Sequence, residues 1–454
     1  MKESMLSVGI DLGTTTTQMV VSRLLVENTA DPFSVPRMEI GDREVIYRGR
    51  IHFTPLKTPD TLDAEGIRDI ISREYAQAGI APEQVQTGAV IITGETARKE
   101  NAQAVLEALT DFAGEFVVAT AGPALESVLA ARGAGADTEA KRRSRAVLHV
   151  DIGGGTSNLA LFDETGKLKD TGCLNVGGRL LKIDRDSRVT YVSPVLAPLS
   201  PPALGERVTP ESLKPLMDKL VQVLAEAVGQ AKPTKLLEQF ITDKTVTLPD
   251  EQALLSFSGG VADLMEEKPD DWLTYGDIGV LLGQAIRRSC LCAGEYRLGR
   301  ETIRATVVGA GSYATELSGS TVYYRGVSFP LQNLPVVSAD GLDSAQLRKE
   351  TELHGAQTTA LFLTGIPSPS FQAVTQLAEH IAQAVEPVTK PLVVVLEYDQ
   401  AKALGQALQL RLGRDVPLVC LDGIHVPPGS FLDIASPVGG GTALPVVVKT
   451  LAFI

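Results

Sequence analysis

The chain has 454 residues, 44% of them hydrophobic and 21% charged, and carries a net charge of −13. That length holds two or more domains with ample core, and the negative balance argues against general nucleic-acid binding, which neutralises phosphates with Lys and Arg. The basic run KRRSR at 141–145 reads as a solvated loop. Four cysteines do not make a disulfide framework, and reduced, inert thiols suit a cytosolic protein. MKESMLSVGIDLG at the start lacks the long apolar core and cleavage site of a signal peptide. No apolar run approaches the ~18 residues of a membrane span.

In chain order, strands are expected at 5–12, at 16–25 and near 44–53, then a helix over 63–78 that Gly79 stops. GAVIITG (88–94) reads as a buried strand, 97–109 as a helix and FVVATAG (116–122) as a further strand. A helix then opens at Pro123 and ends in the glycines of ALESVLAARGAG. A second unit begins with the strand AVLHVDIGGG, returns through SNLALFD and adds a third strand carrying TGCLNVGG. A proline-rich loop at 193–202, a helix over about 210–230 and the strand ALLSFSGG (253–260) follow. VVGAG (307–311) looks like a strand-end glycine cluster near the end of this unit. Beyond about 320 the character changes. STVYYRGVSFPLQNLPVV suggests paired strands, and strands at TTALFLTG, PLVVVLE and PLVCLD alternate with helices at 371–385 and 400–412. TALPVVVKTLAFI reads as a final strand.

Two stretches carry the chemistry. VGIDLGTTTTQMVV (8–21) and HVDIGGGTSNLAL (149–161) repeat one pattern 140 positions apart: Asp11 matches Asp151, Gly13 matches Gly153 and Thr16 matches Thr156. β-Branched residues resist positive φ and favour extended backbone, so each glycine turns the chain directly into another strand. This is strand–turn–strand, and no P-loop pattern occurs. Backbone N–H groups and hydroxyls of Gly13, Thr14, Thr15 and Thr16, and of Gly153, Gly154, Gly155 and Thr156, would form two anion nests. Facing each other, the nests could grip a polyphosphate. Asp11 and Asp151 would repel it, unless a divalent cation such as Mg2+ is shared between carboxylate and phosphate oxygens. Gly259 and Gly260, at a strand-to-helix junction, would let a flat base approach the backbone.

The order of these pieces resembles the actin-like ATPase superfamily of sugar kinases, actin and heat-shock chaperones. Its phosphate-1, connect-1, phosphate-2, adenosine and connect-2 motifs match 11–17, 121–135, 151–156, 259–261 and 309–311, so the resemblance spans 5–318 and includes Gly309 and Gly311. It implies an α/β architecture of two ribonuclease H-like lobes, 1–146 and 147–320, followed by an additional α/β module at 321–454. ATP and Mg2+ are the implied cofactors. LNVGG (174–178) looks like the Gly-Gly that follows phosphate-2 in the chaperone branch.

A closer resemblance, along nearly the whole chain, is to the reactivating factors of ethanolamine ammonia-lyase. It rests on ITGETARKEN (92–101), VVATAGPALESVLAARGAGA, DIGGGTSN, CLNVGGRLL and PVVVKTLAF. The resemblance implies that enzyme as partner, release of its damaged cobalamin for intact cofactor, and a cytoplasmic or microcompartment setting; self-association is left open. Two positions depart from the chaperone pattern. Arg98 stands where a lysine reaches the γ-phosphate, and the two side chains differ in geometry. Gly122 replaces the connect-1 carboxylate, leaving Glu126, one turn later, as its candidate substitute. Both departures point to slow turnover or nucleotide-gated switching. A small-molecule kinase would need a substrate pocket with a catalytic base, which no motif marks, and a filament former remains the other alternative on this fold. No zinc or serine-hydrolase spacing occurs, and His354, His380 and His425 read as surface or satisfied residues.

Overall fold

The computed structural model describes residues 3–13, 16–30, 38–58, 61–92, 101, 105, 109, 118–120, 123–242, 244–249, 252–267, 269–313, 315–318, 321–353, 357–385, 390–427 and 429–450. The first sheet is built from β1 (Glu3–Leu12), β2 (Thr16–Asn28) and β3 (Met38–Arg48), then, after helix α1 (Ala64–Ala78), β4 (Thr87–Ile92) and β5 (Val118–Thr120). Ile67, Ile70, Ile71 and Tyr75 form the buried stripe of α1, and Gly79 ends it at φ 67°, a left-handed conformation that favours glycine. Most of the helix expected over 97–109 lies outside the described residues; Val105 and Leu109 are helical and buried.

Helices α2 (Pro123–Gly133) and α3 (Ala136–Arg143) lead into the second sheet. Its strands are β6 (Val147–Ile152), β7 (Ser157–Phe162), β8 (Leu168–Leu174), then, past α4 (Pro210–Ala227), β9 (Leu254–Ser258). Helices α5 (Gly260–Glu266) and α6 (Gly279–Arg287) precede β10 (Tyr296–Leu298). The sheet orders are β3-β2-β1-β4-β5 and β8-β7-β6-β9-β10. In both, the first three strands are antiparallel neighbours and the last two add in parallel. Each lobe is thus one copy of a single topology. The basic run is not a loop: Lys141, Arg142 and Arg143 make the last turn of α3, with Arg142 and Arg143 paired to Glu139. Positive side chains at a helix C-terminus oppose its partial negative charge, which favours helix here.

The chain crosses between the lobes twice. Ala131 of α2 and Ala136 and Ala140 of α3 pack on Val147, Ala160 and Phe162 of the second sheet. Helix α7 (Ala305–Tyr313) returns to the first, placing Val307 and Val308 on Val20. The strand-end reading of 307–311 is therefore wrong: this stretch is helical. Its glycines are there for close approach. A methyl group on Gly309 would lie 1.9 Å from the Leu129 carbonyl oxygen of α2, and one on Gly133 would lie 1.9 Å from that of Ala305. A methyl on Gly311 would lie 2.8 Å from the Gly9 nitrogen of β1. Tertiary packing here overrides the β preference of Thr-Val-Val.

The remaining chain forms an eight-stranded sheet. Its strands are β11 (Glu316–Leu317), β12 (Val322–Arg325), β13 (Leu331–Ser338), β14 (Ala360–Leu363), β15 (Leu392–Leu396), β16 (Leu418–Leu421), β17 (Ser430–Ile434) and β18 (Pro445–Thr450). Their order is β11-β18-β17-β13-β14-β15-β16-β12. Helices α8 (Ser344–Glu352), α9 (Phe371–Val385) and α10 (Ala401–Leu412) cover one face through Leu347, Ile381 and Leu404. β12 and β13 are not partners, contrary to the expectation of paired strands; β12 pairs with β16 at the edge and β13 sits centrally. This module docks on the first lobe, where Val438 and Ala443 join Met5, Leu24, Val26 and Met38 in one cluster and the Gly439 N–H donates to Glu3. Among the described residues no helix is long and apolar enough to cross a membrane.

The helix crossing yields a stability test. Gly309→Ala should destabilise the protein by about 1–3 kcal/mol in urea unfolding, the usual cost of an overpacked contact. Gly294→Ala, where a methyl meets nothing within 4 Å, should stay within about 0.5 kcal/mol of wild type. Equal tolerance at both positions would show that the two helices do not need this contact.

Candidate functional site

The repeated sequence pattern is a repeated structure. In the first hairpin Asp11 stands opposite Gln18, and the Gly13 N–H closes the turn on the Thr16 carbonyl at 2.9 Å. In the second, Asp151 stands opposite Asn158 and the Gly153 N–H closes on the Thr156 carbonyl, also at 2.9 Å. Thr14 and Thr15 lie outside the described residues. The two turns are braced differently. Thr54 donates its hydroxyl to the Gly13 carbonyl at 2.8 Å. The second turn is held from behind by LNVGG, where Gly178 N–H donates to the Gly153 carbonyl (3.0 Å) and Arg179 N–H to that of Gly154 (2.6 Å). Gly177 permits this, since a methyl there would lie 2.4 Å from the Gly154 oxygen. The Arg179 side chain is tied down by Asp277 at 3.1 Å, leaving Gly154 and Gly155 exposed at the tip.

Three carboxylates share electrostatic influence between these turns. Asp11 and Asp151 are the penultimate residues of β1 and β6, and Glu126 sits in the first turn of α2. Burial, then the charges of Asp11 and Asp151, push the Glu126 carboxyl up to about 8, opposed by a hydrogen bond with Asn158. Asp151 is buried and rises to about 6 for that reason, opposed by a hydrogen bond from Ser258. Such a group of acids disfavours its own full ionisation and favours a cation. Among the described residues, no three His, Cys, Asp or Glu side chains are grouped so as to hold a metal ion by themselves.

Other residues gather here that the motif reading passed over. Gln18 and Asn158 occupy matching places, each opposite its aspartate, and each keeps a buried side-chain oxygen without a hydrogen-bond partner. Continuing the 140-residue repeat two positions past the threonines would have found them. His149 and Ser258 lie under Asp151: the His149 Nε2 is 2.8 Å from the Ser258 hydroxyl, which donates to Asp151. Burial holds the imidazole down to about 3, so it is neutral. Their signal was the alternation H-V-D on one strand and S-F-S on its neighbour.

The two glycines that follow β9 split in role. Gly259 adopts φ 88° and a methyl there would lie 2.3 Å from the Ile152 carbonyl, whereas Gly260 has room and opens α5. Gly309 and Gly311 lie in the crossing helix rather than at a turn. Arg98 and Gly122 are outside the described residues. The four cysteines are free, His380 is hydrogen-bonded to the Leu342 carbonyl at 2.9 Å, His425 is exposed and His354 falls outside the described residues.

Two lobes of one topology, crossed by paired helices and presenting matched Asp-Gly turns, define the actin-like ATPase fold. The family model described as ethanolamine utilisation protein EutA matches residues 3–454, and the chain belongs to that family. It is 38% identical to the ethanolamine ammonia-lyase reactivase EutA of Escherichia coli strain K12, over 99% of this chain and 98% of that protein. The protein of the same description from Salmonella typhimurium strain LT2 is also 38% identical, with the same coverage. Among solved structures, a type II variant of the Aquifex aeolicus Ppx/GppA phosphatase aligns over 68% of this chain and 99% of its own at 14% identity, with a TM-score of 0.40.

The carboxylate group makes a pH prediction. Glu126 has a raised pKa in the folded protein, so between its ordinary value and about 8 the unfolded chain ionises first and stability falls as pH rises. Glu126→Gln removes that contribution. Urea unfolding from about pH 5 to about pH 9 should show a shallower loss of stability for Glu126→Gln than for wild type. An unchanged slope would show that Glu126 is not held protonated by burial and by the charges of Asp11 and Asp151.

Proposed function

We propose that the chain is an ATP- and Mg2+-dependent reactivase of ethanolamine ammonia-lyase, which opens that enzyme so that damaged cobalamin leaves and intact cofactor enters. The observation that carries the nucleotide part is the siting of Glu126 under the joint influence of Asp11 and Asp151, beside two turns closed by the same hydrogen bond. Kinship with the two reactivases over nearly the full length supports the partner.

In this reading the backbone N–H groups of the 13–16 and 153–156 turns hold the phosphates from both lobes. Asp11 and Asp151 would hold Mg2+, which when bound would supply charge neutralisation for the phosphates. Glu126 is the candidate to orient water or accept its proton, and Gly260 leaves space for the base. Closure turns one lobe against the other about the crossing of α2 and α7. Since the 321–450 region packs on the first lobe, it travels with that lobe and is suited to pass the motion to the partner.

Two measurements test this. Mg-ATP or Mg-ADP should raise thermal stability, by about 2.7 kcal/mol at a hundredfold excess over Kd, whereas AMP, lacking the bridging phosphates, should do little. Equal stabilisation by AMP would sink the two-turn clamp. Asp11→Asn and Asp151→Asn should still bind nucleotide but lose lyase reactivation by orders of magnitude, because charge neutralisation and orientation go together. Wild-type reactivation by both variants would reduce the aspartates to architecture.

A further inference from the structure

Beneath Asp151 runs a polar chain whose direction can be assigned. β6 and β9 lie parallel with His149 opposite Ser256 and Asp151 opposite Ser258, so the four side chains share one face of the sheet. All four are buried. The His149 Nδ1 is 3.1 Å from the Ser256 hydroxyl oxygen, its Nε2 is 2.8 Å from that of Ser258, and Ser258 hydrogen-bonds Asp151 Oδ1. An ionised carboxylate only accepts, so Ser258 must spend its one proton on Asp151 and take one from His149. His149 therefore donates through Nε2 and accepts from Ser256 through Nδ1. Each link fixes the next, and the chain ends on the aspartate.

We propose that Ser258, oriented by His149, is the positioning residue for Asp151: it fixes one carboxylate oxygen against the strand pair and leaves the other for the cation of the cleft. The inference rests on the nucleotide reading of this cleft. It adds a link between the metal side and the base side. Ser258 is followed directly by Gly259, whose backbone is pressed against the Ile152 carbonyl, and by Gly260, which opens α5. The end of β9 thus touches the metal carboxylate through a hydroxyl and the base-side turn through the next peptide. A shift at either side is transmitted to the other over one residue.

A buried serine with a purely structural role would lower stability when removed and leave metal dependence untouched. The test therefore reads metal dependence in the full-length protein. ATP affinity is measured by calorimetry with and without Mg2+ for wild type, Ser258→Ala, Ser258→Thr, His149→Leu and His149→Gln. Orienting partners of ligands typically control metal affinity by about 10–100-fold. Ser258→Ala and His149→Leu should lose about tenfold or more of the Mg2+-linked gain in ATP affinity, with metal-free affinity changing by less than about threefold. Ser258→Thr, which keeps the hydroxyl, and His149→Gln, which can still donate and accept, should recover most of the gain. If wild type shows a Mg2+-linked gain and Ser258→Ala keeps all of it, the positioning role is overturned and the nucleotide reading stands. If wild type shows no ATP binding, both fall.

Discussion

The contact between α2 and α7 governs the rest of this molecule, because it is where two otherwise separate lobes meet backbone to backbone. Gly133 and Gly309 bring each helix against a carbonyl of the other, and Gly311 presses α7 onto Gly9 of β1. At the start of α2 sits Glu126, and on the strands that the two helices cover sit Asp11 and Asp151. Side chains larger than hydrogen at the crossing would spread the lobes and separate these groups. The crossing is thus the spacer of the cleft.

Although built on one topology, the two turns are not equivalent. The first is steadied by side-chain hydroxyls, with Thr54 on the Gly13 carbonyl and Thr17 on Thr54 at 3.2 Å. The second is steadied by backbone from LNVGG and by the Arg179–Asp277 pair, and its aspartate rests on a buried hydrogen-bonded chain. Thr17 and Thr54 are buried, as is the chain under Asp151, so the two turns differ in the kind of brace, side chain against backbone, rather than in exposure. In the proposed clamp the first lobe, joined to the C-terminal module, is the half that carries motion to the partner.

Much of this could be read from residues alone. The Asp-Gly-Thr repeat declared two hairpins, because a glycine followed by β-branched residues leaves the chain little alternative. Strands of unbroken hydrophobicity such as PLVVVLE placed the parallel core of the last sheet. What stayed hidden depends on partners distant in sequence. The reason for Gly309 is the carbonyl of Leu129, and a local reading saw only strand formers beside a turn former. β12 and β13 looked like a hairpin through nearness in sequence, yet β12 is only partly buried and takes the edge, while β13 is needed next to β14. His149 and Ser258 became a pair through the strand register, which no spacing along the chain encodes.

The central claim is that one nucleotide is gripped from both lobes, and a distance across the cleft tests it most directly. Asp69 on α1 and Asp218 on α4 are exposed on the outer helices of the two lobes. Spin labels at Asp69→Cys and Asp218→Cys, in a Cys290→Ser background that removes the exposed native thiol, report the separation by pulsed electron resonance. The account predicts that saturating Mg-ATP shifts the distribution to a shorter, narrower distance and that AMP leaves it unchanged. Bound Mg-ATP with an unaltered distribution would contradict the clamp.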